Sequence, residues 1–168
     1  MYVRSNGSTM SNTTTEDASA WGRTLAEADE MAEQLRAEGW EVVTVRAGHT
    51  AALPPERGEA DRFGLVYVAP DDVAESLPAA VESGDLERSE AFRRREGPDL
   101  FLVTRVSDPD ARVAVLLVGA VDLTTAETTA LATAAHERGH LHSHVELLDG
   151  TRLASFRHDH PADFLPER

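Results

Sequence analysis

Two short stretches, "FGLVYV" from Phe63 to Val68 and "VAVLLVGAV" from Val113 to Val121, are apolar at nearly every position. A strand with one wet face alternates apolar and polar residues, so runs of this kind read as strands buried on both faces. The longer run has nine residues, less than half a membrane span. Both therefore belong inside a water-soluble fold that must cover them on two sides. At 168 residues the chain has room for one domain with its own core.

Periodicity and chain breakers place the other elements. Residues 1–17, "MYVRSNGSTMSNTTTED", are polar and aperiodic and are expected to form a disordered tail, with Met10 as an alternative start. From Ala18 to Glu38, Trp21, Leu25, Ala28, Met31, Ala32 and Leu35 recur at helical spacing, and Gly39 is a left-handed cap. "WEVVTVRA" reads as a strand and "GHTAALPPERGEAD" as a long loop, since its prolines exclude regular structure. "RFGLVYVAP" is a strand. "PDDVAESLPAAVES" is a helix capped by Asp71 or Asp72 and kinked or divided at Pro78, and "DLERSEAFRRREG" is a second helical piece. "DLFLVTRVSD" and "ARVAVLLVGAV" are strands joined by a turn at "SDPDA". "DLTTAETTALATAAHERG" is a helix started by Asp122 or Thr124 and stopped at Gly139. The last strands, "HLHSHVELL" and "TRLASFRH", flank Asp149-Gly150, the strongest short-range hairpin signal.

In this order the middle six elements match a ferredoxin-like βαββαβ core. That topology puts "FGLVYV" and "VAVLLVGAV" at the sheet centre, where their apolar character belongs. The expected fold is a single α+β domain over 18–168, with an extra N-terminal αβ unit and a C-terminal hairpin strand. Its sheet is mostly antiparallel, with helices on one face. The other face would need cover, from a homodimer pressed sheet to sheet or in part from a small-molecule ligand.

The net charge is −14, from 30 acidic and 16 basic residues; every basic residue is arginine, and lysine, isoleucine and cysteine are absent. Such an acid excess suits a protein kept soluble in concentrated salt, where the Debye length at ~1 M is only about 3 Å. It argues against nucleic acid as a partner, because no basic face is available to displace counterions. The lack of cysteine excludes disulfides, thiolate metal sites and cysteine nucleophiles. No charged region followed by an apolar core marks a secretory signal, and no run is long enough for a membrane span, so a cytoplasmic protein is expected.

Chemistry concentrates in "HERGHLHSH", with four histidines in nine residues. His136-Glu137-Arg138-Gly139-His140 matches H-E-x-x-H, which binds zinc when both histidines lie one turn apart on one helix. Here the chain after Gly139 alternates as a strand, so His140 leaves the helix axis. A long zinc motif would also want glycine at 143 and histidine at 146, where Ser143 and Glu146 stand. A two-residue turn at Asp149-Gly150 pairs Val145 with Ala154, Ser143 with Phe156 and Leu141 with His158. Leu141, Val145, Leu147, Ala154 and Phe156 then share the core face. His140, His142, His144 and Glu146 share the other, opposite Asp159, Arg157, Ser155 and Leu153. Alternate residues on a strand face sit ~6.5–7 Å apart, so His140, His142 and His144 could converge on a divalent transition metal. The competing reading is a solvated hairpin surface on which Arg157 repels a cation.

His158 falls on the core side, where a histidine is usually hydrogen-bonded structure. His158-Asp159-His160 could orient an imidazole, yet no nucleophile or glycine elbow accompanies it. Arg93-Arg94-Arg95 could grip a phosphate, but Glu87, Glu90 and Glu96 surround it as on a solvated helix end. Gly48-His49 is an exposed strand-end pair too short to assign, and no phosphate-binding glycine loop is present.

Trp21 with the helix after it, "EGWEVVTV", "GLVYVAPD", the Leu123–Gly139 helix and the ending "FRHDHPADFLP" together resemble an uncharacterised family of small haloarchaeal proteins. The resemblance covers nearly everything after the tail. It implies a high-salt habitat and a compact αβ fold, and it supplies no catalytic residues. Relatives carry Gly-Asp at 48–49, so it assigns that loop no role.

Two functions from different classes follow. One is a non-catalytic small-molecule-binding or protein-interaction domain, dimeric through its sheet face. The other is a metal-binding protein or metal-dependent hydrolase using His140, His142 and His144, with Glu146, Arg157, His158 and His160 as further binding candidates.

Overall fold

The computed structural model describes residues 12–57 and 61–166. Its elements run α1 (Asn12–Ala37), β1 (Glu41–Arg46), β2 (His49–Leu53), β3 (Gly64–Ala69), α2 (Ser76–Glu82), β4 (Arg88–Glu96), β5 (Asp99–Asp108), β6 (Val113–Asp122), α3 (Ala126–Arg138), β7 (Leu141–Leu147) and β8 (Arg152–His158). Short 3₁₀ turns at Pro55–Arg57, Asp71–Val73 and Pro161–Asp163 join them. Of the expected tail, residues 1–11 lie outside the described residues, and the backbone of 12–17 belongs to α1.

The strands form two mixed four-stranded sheets within a single α+β domain. The first has the order β1-β6-β5-β4 and the second β2-β3-β7-β8. Within them β1 pairs with β6 and β3 with β7 in parallel, and the other pairs are antiparallel. The alternation of β6 sorts its apolar run. Val113, Val115, Leu117 and Val121 enter a core shared with Leu65 and Tyr67 of β3, Val145 of β7 and Phe156 of β8. Ala114, Leu116 and Val118 turn the other way, under Ala28, Ala32 and Leu35 of α1. Thus α1 covers the outer face of the first sheet, and the second sheet covers its inner face. The sequence-based demand for two-sided cover is met inside one chain. Gly119 leaves the space on β6 that Tyr67 and Thr50 occupy, since a Cβ there would stand 2.4 Å from Thr50 Oγ1 and 2.7 Å from the Tyr67 ring.

This arrangement corrects the ferredoxin-like expectation. The four strands assigned to one sheet divide into two, because β1 inserts beside β6 and β2 beside β3. Both apolar runs are interior strands, as expected, but of different sheets. The helices do not share one face. α1 lies outside, whereas Leu77 and Ala80 of α2 and Leu131 and Ala135 of α3 enter the inter-sheet core.

Four local readings also change. Residues 88–96 form edge strand β4 and not a helix, since Gly97 (φ 61°) and Pro98 turn the chain into a hairpin with β5. Prolines 54 and 55 end β2 instead of excluding a strand. Pro78 sits in the first turn of α2, where its missing N–H breaks no intrahelical bond; neither Asp71 nor Asp72 caps that helix. Thr125 is the cap of α3, its hydroxyl accepting from the Thr128 N–H at 3.1 Å. Asp122 serves the turn before it, accepting from the Thr124 N–H. Gly139 (φ 78°) and Gly39 (φ 91°) take the left-handed conformations expected of them. No described helix is long and apolar enough to cross a membrane.

Candidate functional site

The α3–β7 junction decides the H-E-x-x-H question. His136 sits in the last turn of α3 with its Nε2 3.1 Å from the Leu165 carbonyl. Gly139 ends the helix, and His140 belongs to the chain entering β7. The two histidines are not partners on one helix.

The β7–β8 register matches the sequence expectation from Leu141↔His158 through Val145↔Ala154. A bulge then pairs Glu146 with Arg152, so the connection is wider than a two-residue turn and leaves Leu148 exposed. The carboxylate of Glu146 takes both Nε and Nη2 of Arg152 and is engaged away from the histidines.

The face expected to be solvated is largely buried: His142 is 8% exposed and His144 fully enclosed. The approach to β3, Asp61 to Phe63, covers this face. The Phe63 ring lies tilted against His140 with centroids 4.8 Å apart, and the Asp61 carbonyl lies 3.4 Å from His140 Nε2. The rings of His142 and His144 stack in parallel with centroids 5.5 Å apart, and His140 meets His142 edge-on at 5.8 Å. His144 Nε2 lies 2.7 Å from the Arg62 carbonyl, which can only accept, so Nε2 carries the proton. Nδ1 is then the acceptor for the Ser155 hydroxyl at 2.7 Å. Both nitrogens of His144 are thereby used. Burial drives the His142 imidazole down to about 4, helped by His144 and Arg62, and leaves its Nδ1 enclosed without a hydrogen-bond partner. Burial also lowers His144, against the raising effect of its bond to Arg62. Among the described residues no group of three or more histidine or acidic side chains has metal-holding geometry. Arg157, across from His142, bonds Asp159, and His160 precedes the Pro161 turn.

His158 has a different setting. It is 1% exposed between the sheets, stacked on Phe164 at 4.4 Å. Its Nδ1 lies 2.8 Å from Ser89 Oγ of β4 and its Nε2 2.8 Å from Ser143 Oγ of β7. One nitrogen donates and the other accepts, so a neutral ring ties the first sheet to the second. Desolvation holds it neutral, down to about 4. The Tyr67 hydroxyl faces Ser143 and Thr104 without a well-formed bond to either, and burial raises it to about 12. Ser143 with His158 has the spacing of a nucleophile and its base, but Ser143 is fully enclosed, so a substrate has no approach. Sequence reasoning missed both serines. Ser143 was legible, because it shares the core face with Leu141 and lies diagonal to His158 across the hairpin; Ser89 was hidden by the helical reading of β4.

An open cleft of about 500 Å³ lies elsewhere, lined by Arg46, Gly48, His49, Val68, Ala69, Pro70, Asp71 and Leu148. It collects the carboxyl ends of β1, β3 and β7, at the point where the chain leaves one sheet at Arg46 and enters the other at His49. Its floor is apolar, and Leu148, 89% exposed, stands at its edge. Arg46 is held by Asp29 of α1. Carboxyl ends of strands beside a switch in strand order are a recurrent ligand position in αβ folds.

Fold and site define a two-sheet α+β domain in which His144 and His158 are held in structural hydrogen bonds, with an open cleft where the sheets part. The chain belongs to a family of unknown function (DUF7529), whose model matches residues 7–166. No curated protein and no solved structure matches it.

Proposed function

We propose that this protein is a non-catalytic small-molecule-binding domain of a halophile's cytoplasm, and that the cleft at the carboxyl ends of β1, β3 and β7 is its binding site. The observation that carries this reading is the cleft's make-up: apolar Val68, Ala69, Pro70 and Leu148 beside polar His49 and Asp71. Its volume is that of a small-ligand site. The occupant it suits is a molecule with an apolar body and one polar group. His144 and His158, each with both ring nitrogens hydrogen-bonded, are engaged in holding the fold. The acid excess and the absence of lysine support the high-salt habitat.

The probe is 1-anilinonaphthalene-8-sulfonate, an apolar body with one anionic group, titrated at ~1 M KCl, where screening removes charge attraction at long range. Saturable binding to the wild type, weakened about tenfold or more by Leu148→Asp, is expected, since a charge on that edge desolvates poorly. Absence of saturable binding, or equal binding by the variant, would sink the reading.

A second reading rests on His142, whose enclosed Nδ1 lacks a partner. A transition metal there would have to recruit His140 and displace one of the bonds of His144. Elemental analysis of untagged protein beside a His140/His142/His144 triple-alanine variant tests it: stoichiometric metal in the wild type alone supports it, and metal in neither rejects it.

A further inference from the structure

Strand β4 is an edge of the first sheet, bonded to β5 alone. The turn after it has two residues, Gly97 and Pro98, so the flanking pair Glu96↔Asp99 is a hydrogen-bonded pair of the ladder. Even-numbered residues of β4 therefore turn their backbone groups to β5. Ser89, Ala91, Arg93 and Arg95 turn theirs outward, and no turn or loop backbone bond among the described residues ends on them.

The side chains facing α1 form a second pattern. Glu90 pairs with Arg105, Arg94 with Glu27 and Glu96 with Arg23, which puts Arg88, Glu90, Phe92, Arg94 and Glu96 in one row. Phe92, at its centre, is 43% exposed; among the described residues only Leu148 is another exposed large apolar side chain. The row reads positive, negative, aromatic, positive, negative.

We infer that this edge pairs with a second copy of the chain, antiparallel, about a two-fold axis at Phe92. In that register Arg88 lies opposite the second copy's Glu96, Glu90 opposite its Arg94, and the two Phe92 rings face each other. The outward backbone groups also match, since Ala91 meets the second copy's Arg93 and Ser89 its Arg95, all of them positions with free edge groups. On that inner side the small residues leave room for the arginine stems. Like charges approach one another only on diagonals: the two Arg93 side chains on the inner side, and Arg88 with the second copy's Arg94 and Glu90 with its Glu96 on the outer.

Neighbouring registers fail. An axis at Ala91 sets Arg88 against Arg94, and one at Arg93 sets Glu90 against Glu96. An axis at Glu90 or Arg94 sets that residue against itself. Like charges directly opposite are destabilising and unlike charges favourable, so charge selects the register that also joins the aromatic rings. The result is an isologous dimer with one continuous eight-stranded sheet. It needs nothing from the cleft proposed above.

The test exploits the absence of cysteine from the chain. In the paired register, residue 92 and its mate are a non-hydrogen-bonded pair, whose Cβ atoms come close enough for a disulfide. Full-length Phe92→Cys, oxidised at ~1 M KCl, should cross-link to a dimer at least about tenfold faster than Leu148→Cys, a control at a more exposed position, because pairing raises the local thiol concentration. Sedimentation of the wild type should show a concentration-dependent dimer. Ala91→Pro, which removes an outward donor and leaves the β5 ladder intact, should shift it to monomer. Equal cross-linking rates at the two positions, or a wild type monomeric at every concentration, would overturn the inference; the cross-linking arm stands even if Ala91→Pro fails to fold.

Discussion

His158 shows how a single side chain can make this fold sensitive to acid. Its folded imidazole is down to about 4 against an ordinary 6.5. The unfolded state therefore binds the proton first, and stability, complete above about pH 6.5, falls as pH drops toward 4. For a residue 1% exposed the loss is on the order of 3 kcal/mol. His142 and His144 add losses of the same sign. The lowered carboxyls of Asp108, Asp122, Asp149 and Asp159 act in a separate window, since their contributions disappear only as pH falls below the usual carboxylate range. His158→Gln keeps a donor and an acceptor for Ser89 and Ser143 but does not titrate. Urea midpoints at pH 7 and 4.5 should show a smaller acid loss for the variant than for the wild type. An equal loss in both would place the acid sensitivity elsewhere.

Among elements, those legible in the sequence are the ones whose own residues decide them. The apolar stripe of α1, the run of β6, Gly139 after α3 and the Asp149-Gly150 hairpin all depend on near neighbours. The register Leu141↔His158 was readable because the bulge lies beyond it, near the turn. β2 and β4 were not, because their strand state comes from partners: β2 from β3, and β4 from β5 across Gly97-Pro98. The burial of His142 and His144 was hidden for the same reason, being supplied by residues 61–63. Alternation reported which way these histidines point, not what covers them. The cap of α3 belongs to the local kind. Thr125→Ala should cost about 1 kcal/mol, read as a shift in urea midpoint at unchanged slope. A cost near zero would mean that the Thr128 hydroxyl, itself bonded to the Asp122 carbonyl, already secures the helix start.

For the whole molecule, a net charge of −14 sets the dependence on solvent. Self-repulsion opposes the compact state and is screened as the Debye length shrinks from about 10 Å at 0.1 M to about 3 Å at 1 M salt. The thermal midpoint is expected to climb steadily from ~0.1 to ~1 M KCl, and a flat profile by calorimetry would refute electrostatic control of stability. The two parallel pairings carry a consequence for how the chain is made. β1 is complete at Arg46 but its partner β6 begins at Val113, and β3 is complete at Ala69 while β7 begins at Leu141. During synthesis β1 and β3 thus leave the ribosome before their parallel partners have been translated. Closure over such separations is slow, and the β4–β5 hairpin is the earliest long pairing available. Birth order and assembly order are therefore opposed, with one edge of apolar β3 left open until residues 141–147 have been made.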